Sequence, residues 1–215
     1  AGAVGRGAAP VDAGEAVEPP ILWDTYKNLQ DRFRGVRYQE SVTEAIKKDL
    51  GPGVIAESNV GVTKEGGPVK FVDILSVDEK QLLDHQAAIY AGREPPPLKV
   101  TSHTIKSRDF REIQDAGLDA VVAQVYADVE EGIGKYGDKI KSRRASSRRQ
   151  RVAKSGRVET KTSNLGALKD QDLEVETLVL VYDARLVPRD LQDTIVRAAK
   201  TRGRGRTTTV RVVFR

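Results

Sequence analysis

Residues Asp78, Glu79 and Lys80 form a D-x-K triplet, with Glu57 and Asp73 upstream of it. A carboxylate on one strand followed by such a triplet on the next can hold a divalent cation and activate water, the chemistry of metal-dependent nucleases. The local pattern points elsewhere. Ser76 and Glu79 have the S-x-x-E spacing of a capping box, which places Asp78 and Glu79 in the first turn of a helix, where acids are favoured by the helix dipole. The other reactive types are scarce. His85 and His103 are the two histidines, eighteen positions apart, and there is no cysteine. Clustered metal ligands, thiol nucleophiles and disulfides are therefore not expected. No G-x-S-x-G motif or Walker-type phosphate loop occurs. Gly132-Ile-Gly-Lys-Tyr-Gly137 and Arg202-Gly-Arg-Gly-Arg206 read as a weak helix end and a turn. The expectation is a non-enzymatic chain without catalytic residues, metal or cofactor, with a metal-dependent nuclease as an alternative.

The strongest chemical signal is charge. The stretch KSRRASSRRQRVAKSGR, residues 141–157, holds Lys141, Arg143, Arg144, Arg148, Arg149, Arg151, Lys154 and Arg157 and no acid. Arg202, Arg204 and Arg206 add a second group near the end of the chain. Residues 1–140 carry 17 Lys and Arg against 23 Asp and Glu, a net of −6; residues 141–215 carry 19 against 8, a net of +11. Such clustering fits sequence-independent contact with nucleic-acid phosphate, or the acidic face of a neighbouring subunit. No Phe, Tyr or Trp falls between Gly137 and Val181, so base stacking is not expected there. Acids between positions 109 and 138 could receive the basic segment of another copy, head to tail. A solvated linker is the third reading.

The elements that must carry these residues follow from periodicity. Residues 1–20 are Ala, Gly and Pro with almost no large apolar side chain, and are expected to form an extended arm. Leu22, Tyr26, Leu29 and Phe33 keep helical spacing over 21–35, and a second helix is expected from Ser41, stopped by Gly51 and Pro52. Two strands flank the Lys64–Pro68 turn, with Val60 and Val62 on one side and Val69 and Phe71 on the other. A helix over 76–90 buries Leu82, Leu83, Ile89 and Tyr90. A strand follows at Leu98 with Val100 and Ser102 on its inner side.

Phe110 to Ile140 keep helical spacing, which predicts one long helix over 109–140, weakened by Gly132, Gly134 and Gly137. An apolar run at 176–184 predicts a central strand. Pro188 opens a helix that turns Leu191, Ile195 and Val196 inward and ends near Gly203. Val210, Val212 and Phe214 share one face of a final strand, completing a strand–helix–strand unit.

The fold class expected is α+β: a mixed sheet of about five strands, a long central helix and a C-terminal βαβ unit. The domains read as an arm at 1–20, an α+β body at 21–140, a basic extended segment at 141–172 and a completing βαβ unit at 173–215. No run approaches the roughly 20 apolar residues that span a bilayer, and the first thirty residues lack the basic-then-apolar pattern of a secretory leader. A soluble chain of the virion or cytoplasm is expected. Together these features point to a subunit of a large assembly, self-associating or held by neighbouring subunits. A virion component, either capsid or head-to-tail connecting protein, fits best, and a ribosome-associated RNA-binding protein is the alternative.

Overall fold

The computed structural model describes residues 31–142, 146–152, 158–164 and 172–215, of which 31–37, 142, 146–152 and 158–164 are described by backbone alone. The arm at 1–20 and the helical spacing of Leu22, Tyr26 and Leu29 lie outside the described residues. The class is α+β, with a mixed six-stranded sheet, helices on both of its faces and a separate two-stranded ribbon. None of the described helices is long and apolar enough to cross a membrane.

The first described element is one continuous helix, α1 (Asp31–Asp49), and Ser41 lies in its interior rather than at a cap. An S-x-x-E spacing caps only where the chain leaves helical dihedrals, and nothing between Val36 and Glu40 breaks the helix. Its end is as expected, with Gly51 at φ +82°. β1 (Val54–Thr63) and β2 (Lys70–Asp78) run antiparallel. Glu65 and Gly66 both have positive φ, and Gly67 N–H donates to the Lys64 carbonyl, a type I′ turn that suits the strand twist. Val60 and Val62 are buried, but Val69 and Phe71 stay largely exposed; Val72, Ile74, Leu75 and Val77 are buried instead. Alternation close to the turn reports the open end of the hairpin, beyond the reach of the core.

α2 (Glu79–Tyr90) starts three residues later than expected. Ser76 is still in β2, and Asp78 is the N-cap, its carboxylate accepting from Gln81 N–H at 3.0 Å. The helix turns Leu82, His85 and Ala88 inward and leaves Leu83, Ile89 and Tyr90 exposed, against expectation. Leu82, His85 and Ala88 fall at three-residue spacing on one face, and Leu83 and Tyr90 fall on the other side.

β3 (Leu98–Lys106) follows, with Leu98, Val100 and Ser102 buried as the alternation required.

The long helix expected over 109–140 is broken. A short helix, α3 (Phe110–Ile113), and a 3₁₀ turn precede Gly117 at φ +100°. α4 (Leu118–Tyr136) then runs through Gly132 and Gly134 and ends at Gly137. Asp138, at φ +55°, turns the chain into β4 (Asp138–Ser142), so Ile140 belongs to a strand although its spacing is in phase with the helix. β5 (Ser146–Val152) and β6 (Val158–Asn164) form the ribbon. β7 (Asp172–Tyr182), α5 (Gln192–Gly203) and β8 (Thr209–Phe214) make the expected βαβ unit, with β7 and β8 parallel. Pro188 introduces a 3₁₀ turn, Arg189–Leu191, and α5 begins after it.

The sheet order is β3-β2-β1-β4-β7-β8, and a further parallel pairing of β3 with β7 closes five strands into a ring. β4 and β8 divide one edge of β7 between them, at 172–175 and 177–182. Glu176 is an extra residue at the join, where the register with β3 shifts. Across one face, α4 and α5 cover Leu178, Leu180, Tyr182, Val210, Val212 and Phe214. On the other, Tyr38, Val42 and Ile46 of α1 cover Ile74, Ile105, Val179 and Val181.

Candidate nucleic-acid interface

The basic segment does not form a helix where it is described. β5 carries Arg148, Arg149 and Arg151 in an antiparallel ribbon with β6, and the register sets Arg148 against Thr162, Arg149 against Lys161 and Arg151 against Glu159. Alternation puts positions 149 and 151 on one face and 148 on the other. The two strands hold four Lys or Arg against one Glu, a net of +3. Arg143, Arg144, Lys154 and Arg157 lie outside the described residues. The ribbon grows from the body at a fixed place, because the backbones of Lys141 and Asp172 are paired at the mouth of the segment. Lys141 Nζ lies 3.8 Å from Asp172 Oδ1, with both side chains well exposed.

The second basic group behaves differently. Arg202 and Arg206 both meet Glu130 of α4, at 2.7 and 2.6 Å, and Arg202 also stacks over the Tyr126 ring. They hold α5 and the following turn to α4. Arg204 is exposed, with no ion partner among the described residues.

Five of the eight acids between 109 and 138 are engaged within the chain, and Glu112, Asp115 and Asp119 are exposed. Asp109 pairs with Arg111. Asp128, fully buried, accepts from Arg108, Gln124 and the Tyr182 hydroxyl. Glu131 is gripped by Lys135 and Lys106, and these hydrogen bonds hold its carboxyl down at about 2. Asp138 pairs with Lys64 at 3.2 Å; burial works to raise it, but Thr207, Lys64 and Arg206 together outweigh that and keep it low.

The nuclease constellation is not assembled. Asp73 and Asp78 are five positions apart on β2 and so lie on opposite faces. Burial raises the Asp73 carboxyl against the opposing pull of Ile105 N–H, Lys106 and Gln39. Asp78 caps α2, and Lys80 pairs with Asp84 along the helix. Among the described residues, no group of three or more His, Asp or Glu could hold a metal ion.

One site escaped the spacing analysis. Beyond the end of α1, the face of the sheet that α1 covers opens into a cleft of about 430 Å³. Ser76, Thr101 and Thr177 stand abreast on its floor, since Ser76 pairs with Thr101 and Thr101 with Thr177. His103 is next to them, 6% exposed, with Nδ1 lacking a hydrogen-bond partner among the described residues. These residues are scattered over a hundred positions, and only strand register brings them together. Their one local trace is polar residues at inward strand positions. No family model matches the chain, nor does any curated protein or solved structure.

Proposed function

We propose that the chain is a non-enzymatic structural subunit of a large assembly, and that the basic ribbon lies on nucleic-acid phosphate. The observation that carries this reading is the partition of charge. Most acids flanking the basic segment are already paired inside the body, whereas the strands of the ribbon hold an excess of Arg and Lys. That excess favours an anion from outside the chain. Head-to-tail pairing would have to rely on the remaining exposed acids, Glu112, Asp115 and Asp119. A two-stranded ribbon also has the width that the major groove admits, and its cations can follow a phosphate track without reading sequence. The kind of assembly we favour is a virion, with the chain as a capsid or head-to-tail connecting protein, a reading supported by composition and by the split of charge along the chain.

The test is binding of the full chain to a fluorescent duplex and a single-stranded oligonucleotide across a salt series. The expected result is affinity falling with a log–log slope of roughly −4 or steeper. Replacing both Arg149 and Arg151 by Ala should make the slope shallower by about 2 and leave the fold unchanged. No binding to either oligonucleotide at low salt would overturn the proposal and assign the ribbon to an acidic protein neighbour.

A further inference from the structure

The cleft beyond α1 has features that folding alone does not require. Its floor crosses four strands, β2, β3, β7 and β8. Ser76, Thr101 and Thr177 form one row, and His103, Val179 and Arg211 form the next, aligned by the pairings of β3 with β7 and β7 with β8. His103 Nδ1 is buried without a hydrogen-bond partner among the described residues; of the three hydroxyl residues beside it, Ser76 is buried and Thr101 and Thr177 are half-buried at the cleft. A buried ring nitrogen without a protein partner, beside hydroxyls on an open cleft, normally has a partner in water or in a ligand.

The chemistry of that partner follows from what the cleft lacks. Burial lowers His103 to about 4, so at neutral pH its ring is uncharged, with one N–H and one lone pair. Each floor hydroxyl likewise both donates and accepts. The charged groups lie around this row and balance in sign, Asp78 and Glu176 against Lys99 and Arg211. Two of them are already engaged, since Asp78 caps α2 and Arg211 has an interaction of its own within the chain. An ionised ligand would meet charges that balance, with no net opposite charge to offset its desolvation. An alcohol group matches both the His103 ring nitrogen and the floor hydroxyls, because it donates and accepts at once. Leu50 and Val213 supply apolar walls, and the volume lies in the range of small-molecule sites.

We infer that this cleft binds an uncharged, polyhydroxylated small molecule of monosaccharide size, held by the Ser76–Thr101–Thr177 row and His103. This site is independent of the ribbon and of any nucleic acid on it.

The test is NMR of the full chain. Its two histidines make the imidazole signals simple to assign, with His103→Gln identifying the His103 pair. D-glucose and D-ribose are titrated, with inorganic phosphate and glycine as charged probes. The expected result is a saturable shift of the His103 signals with at least one sugar, and no movement of His85. Thr101→Val should weaken that binding about tenfold, the effect of one hydrogen bond. Thr177→Val serves as the second variant if Thr101→Val does not fold. The inference fails if neither sugar gives a saturable shift, or if phosphate or glycine moves His103 as readily.

Discussion

Two buried ionisable side chains show how the fold handles polarity it cannot expose. Asp128 is completely buried, yet Arg108 meets it at 2.8 Å, Gln124 at 3.1 Å and the Tyr182 hydroxyl at 2.9 Å. Tyr182 in turn sits edge-on to Phe110 and stacked near Phe214. One carboxylate thus ties α4 to the start of α3 and to the central strand. His103 is the opposite case, buried with Nδ1 unpartnered among the described residues. Its folded value of about 4 lies below the ordinary 6.5. Between those limits the unfolded chain binds the extra proton. The stability associated with neutral His103 is therefore complete above about pH 6.5, declines as pH falls towards about 4, and is lost below that. The loss should be on the order of 3 kcal/mol. Urea unfolding of the native chain and of His103→Gln, compared between pH 7 and 4, should show this slope in the first and a flatter one in the second. Parallel curves would mean that the ring is hydrated in solution.

At the scale of elements, α4 carries two glycines with opposite roles. A Cβ at Gly132 would lie 2.7 Å from Leu178 Cδ2, whereas a Cβ at Gly134 would meet nothing within 4 Å. Gly132 packs directly against Leu178 of β7, and Gly134 faces open space. In an isolated helix both should gain about 1 kcal/mol on substitution by Ala. In the folded protein, Gly134→Ala should raise stability by about 0.5–1 kcal/mol. Gly132→Ala should lower it by about 1–3 kcal/mol through overpacking against the fully buried Leu178. Thermal unfolding of the two variants side by side checks this. Equal shifts would mean that α4 can move off the sheet without cost.

At the scale of the molecule, the basic segment is an insertion in a β-hairpin. β4 and β7 pair antiparallel from Asp138↔Val175 to Lys141↔Asp172, so the chain leaves and re-enters the body at one point. The ring of strands needs β4 and β7 to be joined, but not by thirty residues. Replacing residues 143–171 by a short Asn-Gly turn should leave the body folded, with stability within about 1 kcal/mol of the parent, because shortening a loop changes its closure entropy only slowly. The same variant should lose the steep salt-dependent oligonucleotide binding. Loss of the circular-dichroism signature of the sheet would show instead that the ribbon, which lies beside β1, is a structural part of the ring.

Much of the body was legible in the residues. The alternation of Val60 and Val62, the inward run from Leu98 to Ser102 and the face shared by Val210, Val212 and Phe214 each report which side of a strand is buried, because side chains alternate whatever the strand's neighbours. The stop at Gly51 was likewise local, a matter of backbone freedom. The sequence by itself determined the fold class, the βαβ end and the uneven charge. Three things were decided by tertiary structure. Ile140 keeps helical phase, yet belongs to β4 because pairing with Leu173 outweighs periodicity. Residues 146–152 of the basic segment, with no apolar alternation to mark them, take strand form through their register with β6. The hydroxyl row at Ser76, Thr101 and Thr177 exists only because β2, β3 and β7 align there. Local patterns fix which face of an element is buried, while long-range pairing sets which residues become neighbours, and in this chain both candidate sites depend on the second.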